Sequence, residues 1–210
     1  MTETVIWILR HGETTANAAK IFQGQSEYPL DEIGIAQAEE TEKRLEKEDF
    51  DVVFSSDLLR AKMTAEIAAR GREIIYTPEL REWHLGQWQG RPLSEVMTLF
   101  AGELTRFKEG NEDFTPPGGE STQTFHRRVV TFLQKTAQDY HGKKILLVTH
   151  GGVLTRILAH VMCVASFKAR PHSDNCSLST VSTRDGGSSW HLVRWNDSAH
   201  LTTSKNTLVF

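Results

Sequence analysis

Three short runs of consecutive apolar residues, Val5 to Leu9, Val52 to Phe54 and Ile145 to Val148, constrain the fold more than any other feature of this chain. Each is rich in β-branched or aromatic residues, and none alternates with polar ones. A strand covered on both faces reads this way, as in a parallel sheet with helices on either side. Between the runs the period becomes helical. Ile33 to Glu48 is a charged amphipathic helix with Asp31 placed to cap it, and Leu59 to Arg70 is a second. A third starts near Ser121 and sets Phe125, Val129, Phe132, Leu133, Thr136 and Tyr140 on one face. Val153 to Met162 is a fourth, with Val153, Ile157, Leu158 and Val161 facing inward. Strands alternating with helices predict βαβ crossovers and an α/β fold: a three-layer α/β/α sandwich around a mostly parallel central sheet.

Two later segments, Leu178 to Thr183 and Trp190 to Trp195, alternate and flank Asp185-Gly186-Gly187, the pattern of a hairpin at the sheet edge. Gly90 to Gly119 differs in kind, mixing short apolar patches with Gly, Asn and Pro and ending in Pro116-Pro117-Gly118-Gly119. It reads as a short helical, lid-like insertion, residues 91–119, within one domain covering 1–210. No internal repeat, low-complexity tract or flexible linker is apparent.

Each of the three apolar runs ends abruptly in polar or charged residues. The first leads into Arg10-His11-Gly12-Glu13-Thr14, the second into Ser55-Ser56-Asp57-Leu58-Leu59-Arg60, the last into Thr149-His150-Gly151-Gly152. Ligands of open α/β sheets bind beyond the carboxyl ends of the strands. Arg10, His11, Arg60 and His150 are therefore expected at one mouth, where they describe an anion site. Gly12, Gly151 and Gly152 would let backbone N–H groups approach that anion beside helix N-termini. The chain carries a net charge of −3, so the anion must be held by this local cluster. The same charge offers no general attraction to nucleic acid or to an anionic membrane.

Taken together, the blocks resemble those of the histidine phosphatase superfamily, the phosphoglycerate mutase-like proteins. Arg10-His11-Gly12-Glu13-Thr14 with Asn17 is similar to its signature, and Ser56-Asp57-Leu58-Leu59-Arg60-Ala61 to its second block. Leu80 to Gly90, reading Leu-Arg-Glu-Trp-His-Leu-Gly-Gln-Trp-Gln-Gly, resembles the loop that bears the acid. Gly118-Gly119-Glu120-Ser121 and Val148-Thr149-His150-Gly151-Gly152 resemble the last two blocks. The resemblance implies that His11 is the nucleophile that accepts the phosphoryl group and that Glu82 is the proton donor. It implies a clamp of Arg10, Arg60 and His150 on the phosphoryl oxygens, with Asn17, Gln23, Gly24 and the Gly151 backbone completing the pocket. One departure is Glu27 with Asp31, where many members carry Asp and then Thr or Ser before a Gly-x-x-Gln-Ala helix.

These residue types suit phosphoryl transfer, which needs positioning and charge compensation more than covalent ingenuity. Guanidinium matches phosphate oxygens in a bidentate fork. Two arginines plus a charged His150 would replace the metal that other phosphatases use, and arginines beside both histidines would repel a dication. No His-Glu-x-x-His or comparable ligand spacing occurs among the 9 histidines, so neither metal nor other cofactor is implied. His126, His141, His160, His172, His191 and His200 are assigned to surface or packing roles, and His84 either lines the pocket or shapes its loop. Cys163 and Cys176 are too few for a disulfide framework and fit a reduced, cytoplasmic protein. The opening MTETVIWILR does not read as a signal peptide, and no apolar run approaches the roughly 20 residues needed to cross a bilayer.

The expected activity is hydrolysis of a small phosphorylated metabolite without metal, close to the branch of broad-specificity and α-ribazole phosphate phosphatases. A mutase of this superfamily typically has Glu-Arg-His-Tyr-Gly in the acid loop; here Glu82-Trp83-His84-Leu85-Gly86 stands there, and Trp83 cannot bind a carboxylate ionically. Arg106, Lys108, Arg127 and Arg128 read as helix-surface charge rather than as a basic lid. A non-catalytic phosphate- or phosphoprotein-binding module is the third alternative, disfavoured because His11 and Glu82 are both present. Trp83, Phe100, Phe107 and Phe114 either wall the substrate pocket or pack the lid. The substrate's identity and the oligomeric state are not legible.

Overall fold

The computed structural model describes residues 2–110, 113–164 and 171–203. Its centre is a six-stranded sheet in the order β3-β2-β4-β1-β5-β6. The strands are β1 (Thr4–Arg10), β2 (Val52–Ser56), β3 (Ile74–Thr77), β4 (Lys144–Thr149), β5 (Leu178–Thr183) and β6 (His191–Asp197). The first four run parallel, β5 returns antiparallel to β1, and β6 pairs antiparallel with β5 as the expected hairpin. The three apolar runs are thus β1, β4 and β2, three neighbours at the heart of the sheet.

Helices cover both faces, so each strand distributes its side chains between two apolar layers. Trp7 and Leu9 of β1 pack with Val53, Leu146 and Val148 under α2 (Glu32–Leu45) and α3 (Leu59–Ala68), against Ala38, Leu45, Ala65 and Ala68. Ile6 and Ile8 point the other way, with Phe54, Ile145 and Leu147, toward α6 (Thr122–Asp139) and α7 (Gly151–Val161). On that face Phe125, Val129, Leu133, Val153 and Ile157 complete the layer. The fold is the predicted α/β sandwich. Caps agree with the sequence: Asp31 accepts from the Gly34 amide at 2.8 Å, and the Ser121 hydroxyl from Thr124 at 3.1 Å. Glu27, the departure noted above, has a use of its own: its carboxylate accepts the Leu59 amide at 2.8 Å, where Leu58 supplies no side-chain cap to α3.

Two features differ from the reading. Strand β3 was not foreseen, because four half-exposed residues at the sheet's edge carry no buried apolar run. Strand β5 is buried along its whole length rather than on alternate faces, since β6 moves the edge one strand outward. The described part of the 91–119 insertion forms α4 (Leu93–Leu99) and α5 (Ala101–Lys108), and residues 111–112 lie outside the described part. The short helix α1 (Thr15–Ala18) follows β1 directly.

Candidate active site

The carboxyl ends of β1, β2 and β4 open into a cavity of about 180 Å³. Arg10, His11, Asn17, Gln23, Gly24, Arg60, Glu82 and Gly151 all line it. Of the predicted site residues only His150 does not. It lies fully buried behind His11, ring centroids 5.2 Å apart, with Nε2 2.8 Å from the Ser56 hydroxyl.

His11 follows β1 without a break, its amide donating to the Thr149 carbonyl at 2.9 Å. Its Nδ1 stands 2.7 Å from the Gly12 carbonyl, an acceptor only, so Nδ1 carries the proton and Nε2 keeps its lone pair. Burial, then the charges of Arg60 and Arg10, hold the imidazole well below its ordinary pKa of 6.5, against the Gly12 hydrogen bond. His150 is depressed in the same way by burial and by Arg60, His11 and Arg10. The charged His150 expected from the sequence is disfavoured in the free site: burial first, then the two guanidinium groups, favours the neutral form of both imidazoles. Arg60, lowered to about 10 by burial, remains protonated at neutral pH.

Both arginines are held by carbonyls and still have donors to offer. Arg60 gives Nη2 to Gly24 at 2.7 Å and Nη1 to Ser26 at 3.0 Å, while Arg10 gives Nη1 to the Ser173 carbonyl. Among the described residues the buried Nε atoms of Arg10 and Arg60, Nδ1 of His150 and Oε1 of Gln23 have no hydrogen-bond partner. The two guanidinium Nε donors left over beside the cavity call for an acceptor of high charge.

Glu82 arrives from the far side, on the segment after the 3₁₀ turn Pro78–Leu80. Its carboxylate accepts the Trp83 amide at 2.8 Å and the Gly152 amide at 3.0 Å. A Cβ at residue 152 would fall 2.1 Å from Glu82 Oε1, so a larger residue there would displace the Glu82 carboxylate from its place at the start of α7. Gly12 is explained differently from the expectation. Its amide donates to the Thr64 hydroxyl at 3.0 Å, and a Cβ would meet the Gly34 carbonyl at 2.6 Å, so packing against α2 requires the glycine.

The remaining wall is apolar: Ile21, Phe22, Trp83, Leu85 and Phe107. Trp83 and Phe107 thus do both jobs left open by the sequence, facing the cavity and packing an aromatic cluster with Phe114 and Phe125. Ser173 also lines the cavity, as does His172, expected in a surface or packing role. Its Nε2 is 3.0 Å from Asp174. Asn175 donates to the His11 carbonyl at 2.9 Å. Nothing in the order of the sequence signalled this segment, which reaches the mouth from the start of β5. Arg128, read as surface charge, instead ion-pairs with Glu120 at 2.9 Å and bonds the backbone of the acid loop.

The family model described as the histidine phosphatase superfamily, branch 1, matches residues 6–198. The chain belongs to the histidine phosphatase superfamily. A metal-independent phosphoserine phosphatase of Arabidopsis thaliana is 37% identical over 205 residues, covering 95% of this chain and 84% of that protein. A Yersinia pestis protein called "Probable phosphoglycerate mutase GpmB" is 35% identical over 202 residues, 93% of this chain and 94% of that one. Among solved structures, the α-ribazole phosphatase of Shigella flexneri superposes with a TM-score of 0.80 at 28% identity, covering 92% of this chain and 96% of that one. This histidine phosphatase superfamily member thus has both named phosphatases and a named mutase among its relatives.

Proposed function

We propose that this protein is a phosphomonoester hydrolase that works through a phosphohistidine on His11, with Glu82 as acid and then base, and needs no metal. One observation carries the reading. A neutral His11, its Nδ1 proton committed to Gly12, faces a cavity that also presents two arginines with unused donors and, across from them, the one carboxylate among the described lining residues. In the proposed reaction His11 Nε2 attacks phosphorus in line with the ester oxygen. Arg10 and Arg60 compensate the equatorial charge, and a phosphoryl dianion beside His150 would favour that imidazole's protonation. Asn17, Gln23, Gly24 and Gly151 complete the phosphate pocket. Glu82 protonates the leaving alkoxide and then takes a proton from the water that attacks the phosphohistidine.

The substrate side is a small phosphorylated metabolite, bound within one domain whose 91–119 insertion acts as the lid. No nucleic-acid or membrane partner is proposed; no helix among the described residues is long and apolar enough to cross a membrane. The two cysteines, both free, fit a cytoplasmic location.

The mutase reading draws on the 35% identical Yersinia relative. Against it stands Trp83, stacked on Phe125 with its indole donating to the Glu120 carbonyl, where a basic side chain would be needed to hold a second anionic group. Incubation with 3-phosphoglycerate separates the two. Hydrolysis releases inorganic phosphate, whereas rapid formation of 2-phosphoglycerate dependent on the bisphosphate would establish the mutase.

A further inference from the structure

We infer that Arg128, paired with Glu120, is the positioning residue for Glu82: it fixes the direction from which the proton reaches the leaving group. The inference rests on the proposal that Glu82 is the proton donor. Arg128 lies on α6, away from the cavity lining, yet every one of its N–H donors is spent on the acid loop or on the residue that braces it. Nη1 donates to the carbonyls of Glu79 at 2.8 Å and Arg81 at 2.9 Å. Nη2 reaches the Glu82 carbonyl at 3.4 Å and one Glu120 oxygen at 2.9 Å, while Nε takes the other Glu120 oxygen at 3.1 Å. Only a planar guanidinium has five donors in a fixed fork; an ammonium has three on a freely rotating stem.

The same guanidinium lies 5.1 Å above the Phe125 ring, and Phe125 is stacked on Trp83 at 5.7 Å with an interplanar angle of 11°. Glu120 closes the circuit: its carbonyl receives the Trp83 indole at 2.7 Å, and its amide donates to the His84 carbonyl at 2.9 Å. The residues on either side of Glu82 are thereby tied to α6, and both members of the ion pair are largely buried, with 17% and 12% of their side chains exposed. A pair withdrawn from water to this degree is costly to break one partner at a time. Gly118-Gly119-Glu120-Ser121 therefore serves the acid loop rather than the phosphate.

The test uses the leaving group as its gauge, since displacement of a general acid harms poor leaving groups first. Arg128→Lys keeps the charge and the stem; Glu120→Gln keeps an acceptor and removes the charge. Both are compared with wild type and Glu82→Gln on an alkyl phosphate and on p-nitrophenyl phosphate, with Tm measured in parallel. Arg128→Lys should slow kcat on the alkyl phosphate by about 10- to 10²-fold, the scale of an ångström-sized misplacement, and should leave KM and the first turnover of p-nitrophenyl phosphate nearly unchanged. Equal slowing of both substrates, or none, while Glu82→Gln remains selective would overturn the inference alone. Loss of selectivity in Glu82→Gln itself would overturn the acid assignment, and the role of Arg128 with it.

Discussion

The two walls of the cavity are held in place by different means. The phosphate side hangs from the ends of three adjacent strands, where ladder bonds and two apolar layers fix the backbone before any side chain is chosen. The acid side is a loop with two 3₁₀ turns, Pro78–Leu80 and Gly86–Trp88, placed by side chains together with scattered backbone bonds rather than by a strand ladder. Arg81 forms a two-pronged pair with Asp57, the Thr149 hydroxyl holds the Leu80 carbonyl at 2.8 Å, and Arg128 takes the carbonyls of Glu79, Arg81 and Glu82. Charge compensation works best from groups that need no reorganisation, and the sheet provides them. Proton delivery depends on a loop whose position a few contacts can tune. Damage to the first wall should therefore be absolute, and damage to the second should depend on the substrate.

The largest effect belongs to the strand side. His11→Ala should lower turnover by roughly 10⁵-fold or more, the scale that follows removal of a covalent nucleophile. The fold should survive, because the side chain makes one hydrogen bond, worth about 1 kcal/mol. Acid-quenched wild-type enzyme should carry base-stable phosphate on His11. Appreciable turnover by the alanine variant would mean that water attacks phosphorus directly.

On the loop side, Glu82→Gln should slow alkyl phosphate hydrolysis by roughly 10² to 10⁴-fold, the range for lost acid catalysis. Phosphorylation by p-nitrophenyl phosphate should suffer far less, because p-nitrophenolate leaves without a proton. Dephosphorylation then becomes limiting, so a burst of p-nitrophenol should precede slow turnover. If both substrates slow equally without a burst, the contrast between the walls is wrong.

The same division governs what could be read from the chain. Val5 to Leu9, Val52 to Phe54 and Ile145 to Val148 announce buried strands by composition alone, and the polar residues after them locate the mouth. That logic reached Arg10, His11, Arg60 and His150 without appeal to any relative. Glu82 was reached only by resemblance, because no local pattern marks a loop as facing a site 70 residues away in sequence at Gly152. His172, Asn175 and Arg128 escaped for a related reason: their partners, Asp174 and Glu120 aside, are distant carbonyls, which carry no side-chain signature. The neutral state of His150 was missed because it follows from complete burial beside two cations, and burial depth is a property of the assembled layers.

A smaller effect should appear in stability, where the two strand-side histidines add to His160 and His200, whose pKa values burial also lowers. His11 and His150 both have depressed pKa values in the fold, whereas an unfolded chain protonates them near 6.5. As pH falls below about 6.5 the unfolded state binds protons that the folded state refuses, so stability declines with acidification. Each histidine contributes up to about 1.4 kcal/mol per pH unit, fully recovered above 6.5. Denaturant midpoints at pH 7.5 and 5.5, in a buffer without phosphate, should show this slope in wild type and in Glu82→Gln. His11→Ala should have a shallower one; an identical slope would mean that His11 is not held neutral.

The smallest expected effect is none at all, and it tests both walls at once. A catalytic dication would need ligands from each, since Glu82 is the only carboxylate lining the cavity among the described residues, His11 lies opposite, and the other lining imidazole, His172, already faces Asp174 at 3.0 Å. Glu82 already accepts two backbone amides, and the other side carries Arg10 and Arg60. Two guanidinium charges beside a bound dication would repel it strongly in a site this poorly solvated. Among the described residues no group of three or more His, Cys, Asp or Glu side chains is arranged to hold a metal ion. Turnover of a small phosphomonoester should therefore be the same before and after exhaustive treatment with a strong chelator. Activity that disappears in chelator and returns with Mg²⁺ or Zn²⁺ would show that the arginines do not carry the charge compensation, and the division between a charge-bearing wall and a proton-bearing wall would have to be abandoned.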